Sequence, residues 1–578
     1  MLAIVYLLLM VALGDAIGRR FLPFLSIPHR LASAFLCGLL FSSWFTYLVG
    51  YIFAESASPM FWANAVFFAV AIALIYFLNR GPQNVGPSTT IDSSETEFTR
   101  WDWTVVIVFF IFGLWMMFRT FTIEDGQIAF GHHQYPDFGS TVSIMQSFAY
   151  GSNFPTEYPH FSGDRIRYHF LFYFQAGNLE HLGLNPAAAN NVLSILSLTS
   201  LLMLVMTMGT LLFRSRVAGR IGAALFFFHG SLAFIPFLIA NPSTAAVMDK
   251  LSKMTMYLNS GFPYRGEDWG VWSQNVFLNQ RHFASSIAIF LLVLIFLYIR
   301  NREKTEAAIV PLTEPVTLQK AAVSENEPVA ELKTKKAKKG KKVGQDAQEK
   351  VEDTETAEGA TSDDSEVKIN AEGTSDIESD AKESKQPVVS SISTSSHYLP
   401  YVFAGILLGL LPMWNGPVYL TAAVILAPFL LLFPLRKELI ITGITAAILG
   451  LPQVIYLTSG LRPAGYSMFR WGFVIDNAGF FDVIYYTFFT FGFKWVLIAI
   501  ALYFASGMQR KFLAAVFMVF PLTYCFRFSE EVLANHKFLN VWLIISNVFV
   551  AFALVKLWNL KSGSSTIPTR VAAIVLGL

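Results

Sequence analysis

The chain is short of charge. Only 14% of its 578 residues are Asp, Glu, Lys or Arg, where soluble globular proteins carry about 25%. It holds two cysteines, Cys37 and Cys525, so one disulfide is the ceiling. Cys37 lies inside an apolar run, which argues against even that one and excludes a secreted disulfide scaffold. No Walker loop, Rossmann fingerprint, H-x-x-H or H-E-x-x-H spacing occurs, so no nucleotide site is expected. What the chain has in abundance is apolar surface: 54% hydrophobic residues, with 55 Phe, 21 Tyr and 12 Trp. Soluble cores cannot hide that much, so the composition excludes a soluble enzyme and a nucleic-acid binder. It points to an all-α polytopic membrane protein.

Aromatic residues are missing from one place. Residues 301–396 contain no Phe, Tyr or Trp but hold 14 Lys and Arg and 20 Asp and Glu. Without apolar area to offset the entropy of ordering, this segment reads as a disordered linker. Its charges are blocky, with seven lysines from Lys333 to Lys342 and acids dominating from Asp346 to Glu383. A solvated linker is the simpler reading, and a basic patch resting on anionic cytoplasmic lipid the functional one. The chain therefore divides into a transmembrane module 1–300, the linker 301–396 and a second transmembrane module 397–578.

A span needs about 20 apolar residues. Runs near 1–18, 31–53, 60–78, 103–121, 192–213, 221–240, 283–300, 398–413, 417–434, 439–458, 486–507, 512–526 and 538–557 qualify, and another begins near 570. The expectation is a bundle of about 13–14 transmembrane helices. Basic residues fix the orientation. Arg19, Arg20, Arg30, Arg80, Arg100, Arg214, Arg216, Arg220, Arg300, Arg302, Arg436, Lys437, Arg510, Lys511, Lys556 and Lys561 all fall on one side if the N-terminus is external. Loops 122–191, 241–282 and 459–485, and the short 414–416 and 527–537, are then external and 301–396 cytoplasmic. The external loops carry most of the carboxylates outside the linker and seven of the ten histidines. Titratable groups gathered on one face mark where chemistry is expected.

Residues 122–191 are the most informative. Phe138 to Tyr150 has apolar residues at near-helical spacing, with Asp137 at the N-cap position. Gly151, Ser152, Asn153 and Pro155 break that helix. Arg167 to His181 is aromatic at nearly every position through Phe174 and reads as a helix lying in the membrane interface. Trp414-Asn415-Gly416-Pro417 reads as an interfacial aromatic at a tight external turn.

The order Asp137, Gly151-Ser152-Asn153-Phe154-Pro155, Gly163, Arg167-Tyr168-His169-Phe170-Leu171-Phe172-Tyr173-Phe174 and Gly183 resembles the GT-C superfamily of integral-membrane glycosyltransferases. The likeness is to aminoarabinose transferases, protein O-mannosyltransferases and related uncharacterised bacterial membrane proteins, and it covers roughly residues 103–300. Asn279-Gln280-Arg281-His282, Gly450-Leu451-Pro452-Gln453 and Asn535-His536-Lys537-Phe538 extend it more weakly. Arg167-Tyr168-His169 stands where that family often has Lys-Pro-Pro, and three extra spans precede the usual start.

The resemblance implies a bacterial plasma-membrane enzyme. It would move a sugar from a polyprenyl-phosphate donor to an external acceptor, which could be a glycan, a lipid or a protein. Such a reaction needs a base for the acceptor hydroxyl and cations for the leaving phosphate. Asp137 matches the family's loop acid and is the candidate base, with Glu124 and Asp125 as the second choice. Among the external cations Arg165, Arg167, Arg281, Arg462, Arg470 and Lys537, the expected phosphate ligands are Arg167, Arg281 and Lys537. His132, His133, His169 and His282 are the expected substrate-binding imidazoles. His132-His133 with Asp137 could hold a divalent metal, but adjacent histidines diverge on regular structure, so hydrogen bonding is the simpler role. The competing reading is a transporter or flippase of a polar or lipid-linked solute; a third is an inactive scaffold.

Overall fold

The computed structural model describes residues 1–80, 96–132, 134–228, 230–255, 272–309, 394–460, 465, 467–560 and 567–577. His133, Arg462 and both charge blocks of the linker lie outside the described residues. Met1–Leu312 and Ile392–Leu578 belong to one compact unit, so helices from both sides of the linker share a core.

The protein is a helical, multi-span bundle. Among the described residues nine helices are long and apolar enough to cross a membrane: Leu2–Phe21, Ile27–Ile52, Pro59–Arg80, Arg100–Thr120, Pro186–Phe213, His282–Ala307, Pro412–Leu432, Arg436–Thr458 and Val532–Asn559. Phe480–Phe491 and Lys494–Phe504 make a tenth if counted together across an 85° bend. The expected 13–14 shrinks because hydropathy measures an apolar run, not its backbone continuity. The 221–240 run breaks into Arg216–Ala224, a 3-10 turn at Leu225–Phe227 and Phe234–Ala240. The 486–507 run bends at Gly492, whose φ is +51°. The 512–526 run splits into Gly507–Val516 and Val519–Cys525, because Pro521 cannot donate to the carbonyl of Phe517. Thr394–Gly409 and Ile567–Gly577 are helices too short to qualify.

His282–Ile299, the apolar part of the His282–Ala307 helix, is wholly buried, as an all-round apolar helix must be. The two N-terminal helices meet backbone to backbone. A Cβ on Gly14 would lie 2.0 Å from the Ala34 carbonyl oxygen, and one on Gly38 would lie 2.2 Å from that of Met10. Small residues at membrane crossings allow this approach.

Ion pairs tie the helix ends together on one side of the bundle. At one end Asp15 pairs with Arg19 and Arg30, Asp102 with Arg220 at 2.6 Å, and Glu438 with Lys304 at 2.7 Å. Glu97 bridges the Ile27 amide and, through its carbonyl, Arg216. At the other end described residues of the 122–191, 272–282, 459–485 and 527–537 segments converge: Arg165 and Arg167 donate to Ser459, Phe469 bridges to Phe526, Lys537 lies on the Tyr168 ring and Tyr173 meets His282. These four segments, from loops that charge alone grouped together, are thus neighbours in space.

The structure adds one feature to the sequence reading and corrects two. First, the first long loop contains two small hairpins besides its helices. Phe121–Glu124 pairs with Gln127–Phe130 through Asp125 and Gly126, both at positive φ, the two-residue turn for which Asp-Gly is a standard signal. Glu157–Tyr158 pairs with Phe161–Arg165. Secondly, the Leu171–His181 helix does not lay its rings against lipid: Leu171 through Glu180 are all buried in protein. A run aromatic on every side has no polar face to float on. Thirdly, Trp414 is fully buried, donates to Ser285 Oγ at 2.9 Å and packs edge-on against Phe172. The break it was expected to mark is real, since Asn415 has non-helical φ and ψ, but it lies inside the bundle.

Candidate functional site

The site is assembled from the first long loop. Its helix runs Tyr135–Ala149 and starts earlier than the periodicity indicated, because Pro136 is accommodated in a first turn where no N–H is needed. Asp137 therefore sits inside that turn rather than capping it. Its carboxylate accepts no hydrogen bond and makes no ion pair with any described residue. Burial raises its pKa above the usual carboxylate value, and the Lys537 charge works against that rise.

Asp137 opens onto a cavity of about 510 Å³, within the size range of small-ligand pockets. One face of the loop helix supplies Asp137, Ser140, Thr141 and Ile144; the second hairpin supplies Tyr158, Phe161, Asp164 and Arg165. Arg167, Tyr168 and Tyr173 follow from the next segment, and Asn279 and Gln280 close the far side. The side-chain oxygens of Asn279 and Gln280 are buried without partners. The hairpin is held by Asn153, whose amide donates to the Glu157 carbonyl at 2.8 Å and accepts from the Glu157 N–H at 2.8 Å.

The cations differ in their commitments. Arg167 lines the cavity, pairs with Asp164 at 2.8 Å and donates to the Ser459 carbonyl. Its hydrogen bond holds the Asp164 carboxyl below the usual range. Arg165 also donates to Ser459 and lies 4.9 Å from the centre of the Tyr456 ring. Lys537 is 6% exposed and sits 5.9 Å from the centre of the Tyr168 ring, with no hydrogen bond to a described residue. Arg281 stands behind the cavity, fully buried. It donates to the Leu278 carbonyl at 2.9 Å, Thr120 Oγ1 at 2.8 Å, Asn191 Oδ1 at 3.3 Å and Met117 Sδ, and lies 5.1 Å from the centre of the Phe138 ring. Burial lowers its pKa to about 9, so it remains a cation at neutral pH.

His169 and His282 form a second layer. Their rings are 4.4 Å apart, and the Nε2 atom of each is buried without a partner. Tyr173 Oη meets His282 Nδ1 at 2.9 Å. Burial, then His282 and Lys537, push the His169 pKa well below its ordinary value, leaving it neutral. Glu124, Asp125 and His132 are elsewhere: the two acids form the exposed tip of the first hairpin and His132 follows it, and none lines the cavity. Among the described residues no group of three or more His, Cys, Asp or Glu is placed to hold a metal.

Ser140 and Thr141 were legible in principle, three and four residues beyond Asp137 on one helical face. Tyr158, Phe161 and Tyr173 had no such signal, because their positions depend on hairpin pairing and on the burial of the next helix. Family models, curated proteins and solved structures give no match to this chain.

Proposed function

We propose that the protein is a membrane glycosyltransferase that moves a sugar from a polyprenyl-phosphate donor to a hydroxyl acceptor on the outer face. The observation that carries this reading is Asp137: a half-buried carboxylate without a partner among the described residues, in a small-ligand cavity rimmed by two arginines, with Lys537 close behind. The loop order that resembles GT-C glycosyltransferases supports it. Asp137 takes the proton of the acceptor hydroxyl; the freed oxygen attacks the anomeric carbon, and the bond from that carbon to the phosphate oxygen breaks. A raised pKa makes a carboxylate a better base near neutrality. Lys537 and Arg167 stabilise the charge gathering on the leaving phosphate. Ser140, Thr141, Asn279 and Gln280 present hydrogen-bonding groups to sugar hydroxyls. Arg281, with four of its five N–H donors already used, positions the helix that carries Asp137.

The experiment uses the full chain in lipid vesicles loaded with a panel of polyprenyl-phosphate sugars labelled in the sugar. Label should move to an acceptor while free polyprenyl phosphate accumulates. Label that crosses the bilayer with its bond to phosphate intact would identify a transporter and sink the proposal.

A further inference from the structure

Two interrupted helices meet deep in the bundle, away from the cavity. The break after Leu225–Phe227 and the bend at Gly492 are joined by a hydrogen bond from Leu232 N–H to the Phe489 carbonyl at 2.8 Å. A Cβ on Gly492 would fall 2.2 Å from the Gly230 carbonyl oxygen, so only glycine permits the contact. Lys494 stands at this junction. It is 5% exposed, and its one hydrogen bond to a described residue is to Asn547 Oδ1 at 3.4 Å. No carboxylate among the described residues pairs with it.

The depth is set by Asn547, eleven residues into the His536–Asn559 helix. At 1.5 Å per residue that is roughly 17 Å below the helix end, close to the middle of an apolar core about 30 Å thick. An ammonium there is costly and marks function more often than architecture. Two polar atoms on the helices that flank it are also unsatisfied. Thr490 Oγ1 and Trp542 Nε1 are buried without partners, and the Trp542 ring packs on Phe491 and Trp495 at 4.8 and 5.5 Å. Buried polar groups left unsatisfied call for a partner.

We infer that this junction is a second anion site, which takes the phosphate head of a membrane lipid. The spare ammonium N–H groups of Lys494 can each donate to a phosphate oxygen. Phe228, Phe488 and Phe493 at the same breaks are exposed on the apolar flank of the bundle, so the approach is from the bilayer. The site is distinct from the Asp137 cavity and holds whether or not that cavity transfers sugars. A phosphate resting at mid-depth gives the chain a station for moving a lipid phosphate between leaflets.

The test photolabels the full chain in nanodiscs with a long-chain isoprenyl phosphate that carries its photoreactive group next to the phosphate. Adducts are expected on the 488–495 and 542–547 peptides as well as at the cavity. Lys494→Gln should cut the former roughly tenfold, the worth of one charge-assisted hydrogen bond, and leave cavity adducts unchanged; Lys537→Gln should do the reverse. Lys494→Arg, which keeps the charge, should retain labelling, and the wild-type map decides the matter if Lys494→Gln does not fold. No adduct at the junction in wild type, or full labelling in Lys494→Gln, overturns the proposal. Displacement by excess inorganic phosphate overturns the lipid source.

Discussion

Replacing Arg281 with Ala separates a structural cation from a ligand-binding one. The guanidinium is fully buried and satisfies three oxygen acceptors, at Leu278, Thr120 and Asn191. Thr120 and Asn191 can turn to other partners: Thr120 already donates to the Met116 carbonyl at 2.7 Å, and Asn191 to that of Phe121 at 2.8 Å. The Leu278 carbonyl cannot turn. One orphaned acceptor costs about 1–3 kcal/mol, and the void left under Phe138 adds about 24 cal/mol per Å³ that fails to collapse. Relief of the buried charge offsets part of this. The sum is a loss of about 3 kcal/mol. Thermal unfolding in detergent, with donor binding measured on the folded fraction, reads both effects. Arg281→Ala should unfold well below wild type while the folded fraction binds donor normally. Wild-type stability combined with lost donor binding would refute this and make Arg281 a phosphate ligand.

Other outcomes follow from the same geometry. Because burial raises the Asp137 pKa, its ionisation opposes folding: stability associated with its neutral form is lost as pH rises through that raised value. Asp137→Asn should therefore unfold later than wild type at neutral pH, and the difference should vanish in acid. The acid limb of the transfer rate should lie above the ordinary aspartate value of about 3.9, and pH–rate profiles check this. Gly38→Leu should prevent the Leu2–Phe21 helix from docking, seen as loss of folded protein on size exclusion, because the Met10 carbonyl leaves no room for a side chain. Removal of residues 313–391 should leave both fold and transfer intact, assayed by thermal unfolding and turnover. His160→Cys should react with an impermeant thiol reagent from outside and Gln345→Cys should not; the reverse pattern would invert the topology.

The polytopic helical class and the gathering of four loops at one end were legible in the sequence, because hydropathy and charge are local signals; Asp137 was legible as a helix-start residue, one turn position short of its place inside the helix. Which apolar runs are continuous was not legible: Gly492 and Pro521 end helices within runs of unbroken hydropathy. The Asp125-Gly126 hairpin was readable from its turn residues, but a search for helical periodicity passes over it. Burial of Phe170 through Phe174 was obscured because an aromatic run suits both the membrane interface and a core. Arg281 and Lys537 look alike in sequence, each beside a histidine at a helix start. Only packing separates them: four acceptors hydrogen-bond to Arg281, and none among the described residues hydrogen-bonds to Lys537.

The most direct test of the central claim is the turnover of Asp137→Asn in vesicles supplied with the lipid-linked sugar that wild type consumes. Asn keeps the size of the side chain and removes the base. The account expects transfer to fall about 10²–10⁴-fold, with stability at least equal to wild type and donor binding preserved. Near-full transfer by this variant would contradict it.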